Sequence, residues 1–403
     1  MKKVFEGIRV LDVSQFLSGP ICAQHLADMG AEVIKIEPPY GEQLRQFVSF
    51  IPHEDKLMSL MNRNKKGLTL NMRTEKGREI FKDLIKKSDV LVENFTLGVM
   101  ERMGLDYPVL KEINPRLVHV SIKGFGLYGP NSSHTAFDII AQATGGILWA
   151  NRQPDKVPGI FMGDMVSGGY AALGACMALF HRERTGEGQL VDVSMQDVMY
   201  MHNFPAAERR AEGDSRDVIE KALGTTFDGI MTDPERCSPL WNSYATKDGY
   251  VVIAAGMVER HWKSLAEIIG GKALVEDVRF NNPLKRLIEA DPLRQILRDW
   301  MKERTSAEVI DILSKESIPC GIVQDADMVN RDPQLEARGM LTSVPHPVYG
   351  KVDVPGIPIQ FSETPGRLDA PCPELGQHND EILSEVLGYS PEERYKLKGD
   401  GII

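Results

Sequence analysis

The first 125 residues alternate short apolar runs with amphipathic stretches of helical period. "IRVLDV" is a run of strand length and "SGP" a turn. "ICAQHLADMG" is a helix that Gly30 can close, since glycine tolerates the left-handed conformation that ends helices. "AEVIKIE" supplies a second strand. Thr74 is placed to cap a helix over "EKGREIFKDLIKKSD", and "VLVENF" and "RLVHVSIKGFG" supply two further strands. Strands alternating with helices predict an α/β fold, a mostly parallel sheet covered on both faces. "SGGYAALGACMALFHRERTG" predicts a small-residue helix suited to close packing inside a large core, and "GQLVDVSMQDVMYMHNF" a strand and a helix. The pattern changes over residues 205–240, where "AERRAEGDSRD" is highly charged and "MTDPERCSP" is turn-rich. Beyond it, "YATKDGYVVIAAG" reads as a hairpin turning at Asp248-Gly249. Short helices to about residue 318, Pro-punctuated strands in "TSVPHPVYGKVDVPGIPIQFS" and a helix near "HNDEILSEVLG" complete the chain.

A chain of 403 residues is long for one domain and short for three, so two domains, or one with an excursion, are expected. With 42% apolar and 26% charged residues it can build a packed core. A net charge of -10 argues against a nucleic-acid or membrane partner, while leaving room for a local basic pocket that takes a phosphorylated ligand. The five cysteines (Cys22, Cys176, Cys237, Cys320, Cys372) are odd in number and scattered, without CxxC spacing. That fits reduced thiols and neither a disulfide frame nor a zinc site. No segment has the apolar length of a membrane span, and "MKKVFEGIRVLDV" lacks a signal-peptide core, so a cytoplasmic protein is expected.

Two glycine and acid signals suggest a dinucleotide site. "GFGLYG" (124–129) matches GxGxxG, but "PNSS" follows it and reads as loop, whereas a pyrophosphate site needs a helix opening there. Glu37 ends a strand where an acid would grip a ribose, yet the first turn, "SQFLSGP", lacks the glycine fingerprint. The histidines His25, His53, His119, His181, His202, His261 and His346 show no metal spacing, and no HExxH, GxSxG or GxxxxGK[ST] is present, so no metal site is expected. That leaves Asp164. Set between Gly163 and Met165 ahead of a Gly- and Ala-rich run, it reads either as a helix-capping carboxylate or as a catalytic group.

The segments "GIRVLDVSQFLSGP", "LADMGAEVIKIEPPYGEQLR", "NRNKKGLTLNM", "DVLVENFTLGVMERMGL", "INPRLVHVSIKGFGLYGP", "FDIIAQATGG", "GDMVSGGYAALG", "ERTGEGQLVDVSMQDV" and "IPCGIV", in this order and spacing, resemble the class III CoA-transferases of the CaiB/BaiF type almost from end to end. The resemblance implies that Asp164 is a nucleophile that attacks an acyl-CoA thioester. An aspartyl-acyl anhydride and then an aspartyl-CoA thioester would follow. It implies CoA and acyl-CoA as substrates, with no permanently bound cofactor. It places CoA recognition at Leu70, Asn71, Met72, Arg73, Asn94, Phe95, Arg102 and Met103, with Arg102 as the phosphate contact, and puts Leu17, Phe137 and Asp138 near the reacting centre. The implied fold is a Rossmann-like large domain from residues 1–205 and 330–403, with a smaller α+β domain inserted over 225–325 and linkers at 206–224 and 326–329. Two protomers would interlock as a homodimer; a heterodimer with a paralogous subunit is the alternative.

Departures from the formyl-CoA branch are Leu17 in place of a glutamine, Pro38 in place of an arginine, and no run of glycines near 225–240. They argue against formyl and oxalyl substrates and favour a larger acyl group, a dicarboxylate or an aromatic acid. An α-methylacyl-CoA racemase of the same fold is the competing function. That branch carries a histidine before the Asp of a motif resembling "HDINY". Here the segment is "FDIIA", with Phe137 in the histidine's place, and a phenyl ring cannot move a proton. His134 could act as a displaced base if a helix beginning there carried it onto the face of Phe137. A catalytically silent CoA-binding subunit and an NAD-binding oxidoreductase are the remaining alternatives, disfavoured by the presence of Asp164 and by the first turn respectively.

Overall fold

A computed structural model of the chain describes residues 3–49, 54–150, 154–212, 237–256 and 258–403. It divides into two compact units. One comprises 1–145, 158–202 and 332–403, and the other 146–157 and 203–331. Residues 213–224 of the expected linker and 225–236 of the expected inserted domain lie outside the described residues, as does most of the region where the glycine run is missing.

The larger unit opens with β1 (Arg9–Asp12), α1 (Ser18–Asp28), β2 (Glu32–Glu37), α2 (Gln43–Val48), α3 (Glu54–Asn62), β3 (Lys65–Thr69), α4 (Glu75–Ile85) and β4 (Val90–Glu93). It continues with α5 (Val99–Arg102), α6 (Tyr107–Ile113), β5 (Val118–Lys123) and α7 (Asp138–Thr144). A short helix of the other unit, α8 (Ile147–Ala150), intervenes before α9 (Met162–Thr185), β6 (Leu190–Ser194) and α10 (Met195–Met201). The six strands form one sheet in the order β3-β2-β1-β4-β5-β6, every pair parallel. Both faces are covered, so β4 and β5 are buried at every position, as parallel strands between helix layers must be.

Local chemistry sets the boundaries. Gly30, at φ +100°, ends α1 as expected. The Thr74 hydroxyl accepts the Gly77 N–H at 3.0 Å and starts α4, a cap contributing about 1 kcal/mol. One strand, β3, carries no strong pattern because it opens Lys65-Lys66-Gly67. Its outer edge is occupied by the C-terminal segment, where His378 Nδ1 accepts the Gly67 N–H at 3.0 Å and Asn379 Oδ1 the Thr69 N–H at 2.9 Å. This blunts an edge that would otherwise pair with another chain. The C-terminal segment also holds the antiparallel strands 341–346 and 350–355.

The smaller unit contains a three-stranded antiparallel sheet: β7 (Trp241–Ala245), β8 (Tyr250–Ala254) and β9 (Cys320–Ile322). The first two form the expected hairpin, closed by Thr246 N–H to Gly249 O at 2.9 Å. Helical segments 259–275, 290–301 and 306–315 cover it around Trp262, Phe280, Leu297 and Leu313.

Helix α9 differs from the expectation of a helix enclosed in the core. Its small residues Gly168, Ala171, Ala175 and Ala178 face inward. Tyr170, Leu173, Met177 and Phe180 lie on the surface of the monomer. The inward side is spaced for backbone contact: a Cβ on Gly168 would stand 2.6 Å from the Ser18 carbonyl at the start of α1. Gly168→Ala should therefore destabilise the fold by about 1–3 kcal/mol, the usual cost of overpacking, read as a lower urea midpoint with unchanged slope.

Candidate active site

The strand order places a topological switch between β1 and β4, where ligands of open α/β sheets bind beyond the carboxyl ends of the strands. A cleft of about 510 Å³ lies there. Its walls come from the segments that follow each strand: Val13–Ser18 after β1, Pro38–Gln43 after β2, Leu70–Arg73 after β3, Asn94–Val99 after β4, Gly124 and Ser132–Phe137 after β5, and Met195 after β6. Asp164 reaches the same cleft.

Asp164 occupies the first turn of α9 and does not cap it, since Phe161 holds the capping position without a side-chain bond. Its own N–H donates to Asp138 Oδ1 at 3.0 Å, so the first residue of α7 satisfies an otherwise unpaired donor of α9. Asp138 Oδ2 accepts from Gln142 Nε2 at 2.6 Å, and Gln142 Nε2 also donates to Ile160 O at 3.0 Å. The glycine before Asp164 has a steric reason: a Cβ on Gly163 would meet Asp138 O at 2.8 Å. Asp164 is 9% exposed. Burial, then the neighbouring Asp138 carboxylate, pushes its pKa up to about 7, while a hydrogen bond from the Ser18 hydroxyl acts the other way.

Ser18 begins α1, so the N-termini of α1 and α9 meet at the carboxylate and bring partial positive charge to it. The loop before Ser18 is clasped from several sides. Asn94 accepts the Gln15 N–H at 2.8 Å, donates to Gln15 O at 2.8 Å and donates to Ser18 Oγ at 3.2 Å. Glu42 accepts the Phe16 N–H at 3.0 Å, and Lys35 donates to Ser14 O at 2.5 Å. These bonds hold Phe16 at φ +60°, a left-handed conformation costing of order 1–3 kcal/mol for a residue with a Cβ. Gly19 completes the turn, because a Cβ there would lie 2.1 Å from Ser14 Cβ.

Of the residues expected from sequence, Leu70, Asn71, Met72, Arg73, Asn94, Phe95, Met103, Phe137 and Asp164 line the cleft together. The Leu70 side chain belongs to the core, and Asn71 is tied by its N–H to Ile402 O at 2.7 Å. Asp138 lies behind Asp164, outside the lining. Leu17 is half-buried and also outside it. Arg102 is exposed at the end of α5, one residue before Met103, and does not line the cleft. Phe16, Ser18 and Gln142 were not singled out from sequence. A phenylalanine with positive φ has no local signature, and "LSGP" reads only as a turn.

The dinucleotide signals dissolve. "GFGLYG" opens a loop that runs to Phe137 rather than a helix, and Glu37 is held by Arg45 in a bidentate pair at 2.9 and 2.8 Å. His134 lines the cleft from that loop, its ring edge-on to Phe125. The helix begins only at Asp138, so no helical face joins His134 to Phe137. Among the described residues no three His, Cys, Asp or Glu side chains gather as metal ligands, and no helix is long and apolar enough to cross a membrane.

Residues 5–379 match the model of CoA-transferase family III. A protein of Streptomyces coelicolor named formyl-CoA:oxalate CoA-transferase is 36% identical, the match covering 100% of this chain and 99% of that one. One of the same name from Bradyrhizobium diazoefficiens is 34% identical, over 100% and 98%. Among solved structures, a CaiB/BaiF family protein from Brucella suis is 30% identical with a TM-score of 0.75, over 96% of this chain and 100% of that one. A point mutant of a Mycobacterium tuberculosis protein is 28% identical with a TM-score of 0.81, over 95% and 99%. With a parallel α/β sheet, a cleft at its switch point and a match along nearly its whole length, the chain belongs to CoA-transferase family III.

Proposed function

We propose that the protein moves CoA from an acyl-CoA donor to a carboxylic acid acceptor, with Asp164 as the covalent nucleophile. The observation that carries this reading is a nearly buried carboxylate in the cleft, raised in pKa and set at two helix N-termini. The Asp164 carboxylate attacks the thioester carbonyl and expels the CoA thiolate, leaving an aspartyl-acyl anhydride. The thiolate attacks the aspartyl carbonyl of the anhydride, releasing the donor acid and leaving an aspartyl-CoA thioester. The acceptor carboxylate attacks that thioester, again freeing thiolate and forming the new anhydride. Thiolate then attacks its acyl carbonyl, giving the new acyl-CoA and free Asp164. Desolvation suits these steps, since a carboxylate stripped of water is a stronger nucleophile, and the helix termini favour the developing oxyanions.

In this reading Leu70–Arg73, Phe95 and Met103 border the CoA. Asn94 acts mainly through the loop it clasps, and Arg102 reaches the nucleotide phosphates from the exposed end of α5. The enzyme is cytoplasmic and works as an interlocked homodimer, built from the large 1–205 and 330–403 domain and the inserted 225–325 domain. The exposed apolar row on α9 supports burial against a second copy. The formyl and oxalate groups in the Streptomyces relative's name make the first donor and acceptor pair to assay.

Asp164→Ala should lose CoA exchange by several orders of magnitude while folding normally, and hydroxylamine, attacking the activated aspartyl carbonyl and releasing the acid or CoA, should leave an aspartyl hydroxamate at Asp164 in the wild type. Near-normal turnover in the mutant would end the covalent assignment. The racemase alternative is separated by a 2-methylacyl-CoA in D₂O: α-deuteration without an acceptor acid would favour it, and acceptor-dependent formation of a new acyl-CoA without α-exchange favours transfer.

Because the ionised form attacks, kcat/KM should rise with pH through about 7. Asp138→Asn keeps an acceptor for the Asp164 N–H but removes the like charge, so this limb should move to lower pH. The raised pKa also fixes the sign of the stability effect. Folding is favoured fully below 3.8, and this contribution is lost as pH rises through about 7. Asp164→Asn should therefore raise the Tm at pH 8 and change it little near pH 4.

Arg102→Ala should weaken CoA binding by about 1.5–3 kcal/mol, the range for a hydrogen bond to a charged group. The loss should be much smaller for dephospho-CoA if the guanidinium meets the 3′-phosphate. Isothermal titration checks both, and equal affinity of mutant and wild type for CoA would remove Arg102 from the site.

A further inference from the structure

We propose that the acyl end of the cleft is built for an uncharged aryl acyl group, and that Phe16 and Phe137 select it; this rests on the CoA-transfer reading above. Both rings line the cleft that contains Asp164. They meet edge to face, with centroids 5.2 Å apart and planes at 87°.

Neither ring is fully buried: Phe16 is half-buried and Phe137 exposed. Phe16 stands in a left-handed backbone conformation that Glu42 and Asn94 enforce through the Phe16 and Gln15 backbone groups, which fixes the direction of its Cα–Cβ bond. Phe137 occupies the capping position of α7, where Ser, Thr, Asp or Asn would satisfy a helix donor. Its side chain caps nothing, and it is 59% exposed. Two large aromatic surfaces are thus presented beside the carboxylate. A formyl group is too small to cover them; an aryl ring adds a third member to an edge-to-face set.

Charge points the same way. The Asp164 carboxylate stands at the acyl end, with Asp138 behind it and accepting the Asp164 N–H. The two lining side chains with permanent positive charge are elsewhere or engaged. Lys123 Nζ is taken by Glu93 Oε1 and Oε2 at 2.7 Å and by Phe95 O at 2.6 Å. Arg73 follows β3, the outermost strand, whereas Phe137 and Asp164 follow β5 on the other side of the switch. A second carboxylate on the acyl group of an incoming donor would approach the ionised Asp164 and two apolar rings. The acyl end therefore disfavours a dicarboxylate donor.

The test compares benzoyl- and phenylacetyl-CoA with acetyl-, formyl-, oxalyl- and succinyl-CoA as donors to the full-length protein, reading kcat/KM for CoA exchange and the donor-dependent aspartyl hydroxamate that hydroxylamine leaves at Asp164. The aryl donors should lead the oxalyl and succinyl donors by roughly tenfold or more. Phe137→Ala should pull the aryl-to-acetyl ratio down roughly tenfold. Phe16→Gly should do the same in a protein that still folds, because glycine accepts φ +60° without strain. That variant separates loss of the ring from loss of the fold. A preference for oxalyl or succinyl donors, or an unchanged ratio in both variants, overturns the aryl assignment and leaves CoA transfer standing. Absence of exchange and of acyl-enzyme with every donor overturns both.

Discussion

At the carboxyl end of β1 the Asp12 carboxylate holds two fully buried ammonium groups, Lys65 from β3 at 2.8 Å and Lys35 from β2 at 4.0 Å. Lys35 also meets Glu42 at 3.4 Å, and Glu37 pairs with Arg45 at 2.8 Å, so three cations are balanced by three anions. Burying an ion costs several kcal/mol, and only its partners recover that cost. Burial alone would raise the Asp12 pKa, but Lys35 and Lys65 overcome it and hold the group below its usual range. For Lys65 burial prevails over the attraction of Asp12 and its pKa falls, whereas for Lys35 the three surrounding carboxylates prevail and it rises. The cluster joins three neighbouring strands at the edge where the cleft opens.

From that cluster the geometry passes outward through hydrogen bonds. Asp12 accepts from Ser14, whose carbonyl takes Lys35; Glu42 takes the Phe16 N–H; Asn94 closes around Gln15 and reaches Ser18; Ser18 meets Asp164. The cluster thus contributes through placement. It keeps a strained loop in one arrangement, so that a hydroxyl and an aromatic ring stand beside a carboxylate whose charged state is disfavoured by its surroundings.

Leu17 and Phe16 are adjacent apolar residues that the fold places differently. Leu17, expected near the reacting centre, is half-buried outside the cleft, and its neighbour Phe16 lines it. The loop's left-handed step at Phe16 decides which of two adjacent apolar side chains enters. Burial of both would satisfy the hydrophobic pattern equally well.

Period and punctuation determined the alternation of strand and helix, the parallel sheet, the Thr74 cap, the Gly30 stop and the hairpin at Asp248-Gly249. These are local effects, set by neighbours a few residues away. Motif spacing likewise singled out Asp164. What required the tertiary structure was everything that depends on distant partners. β3 was obscured because its lysines are polar in sequence and one of them, Lys65, is buried only by meeting Asp12, more than fifty residues away. The exposed side of α9 was hidden because its small residues record the approach of α1 and leave the opposite side undetermined. The pKa of Asp164, the conformation of Phe16 and the clasp of Asn94 arise from contacts between segments that only the fold brings together, and no periodicity within any one segment encodes them.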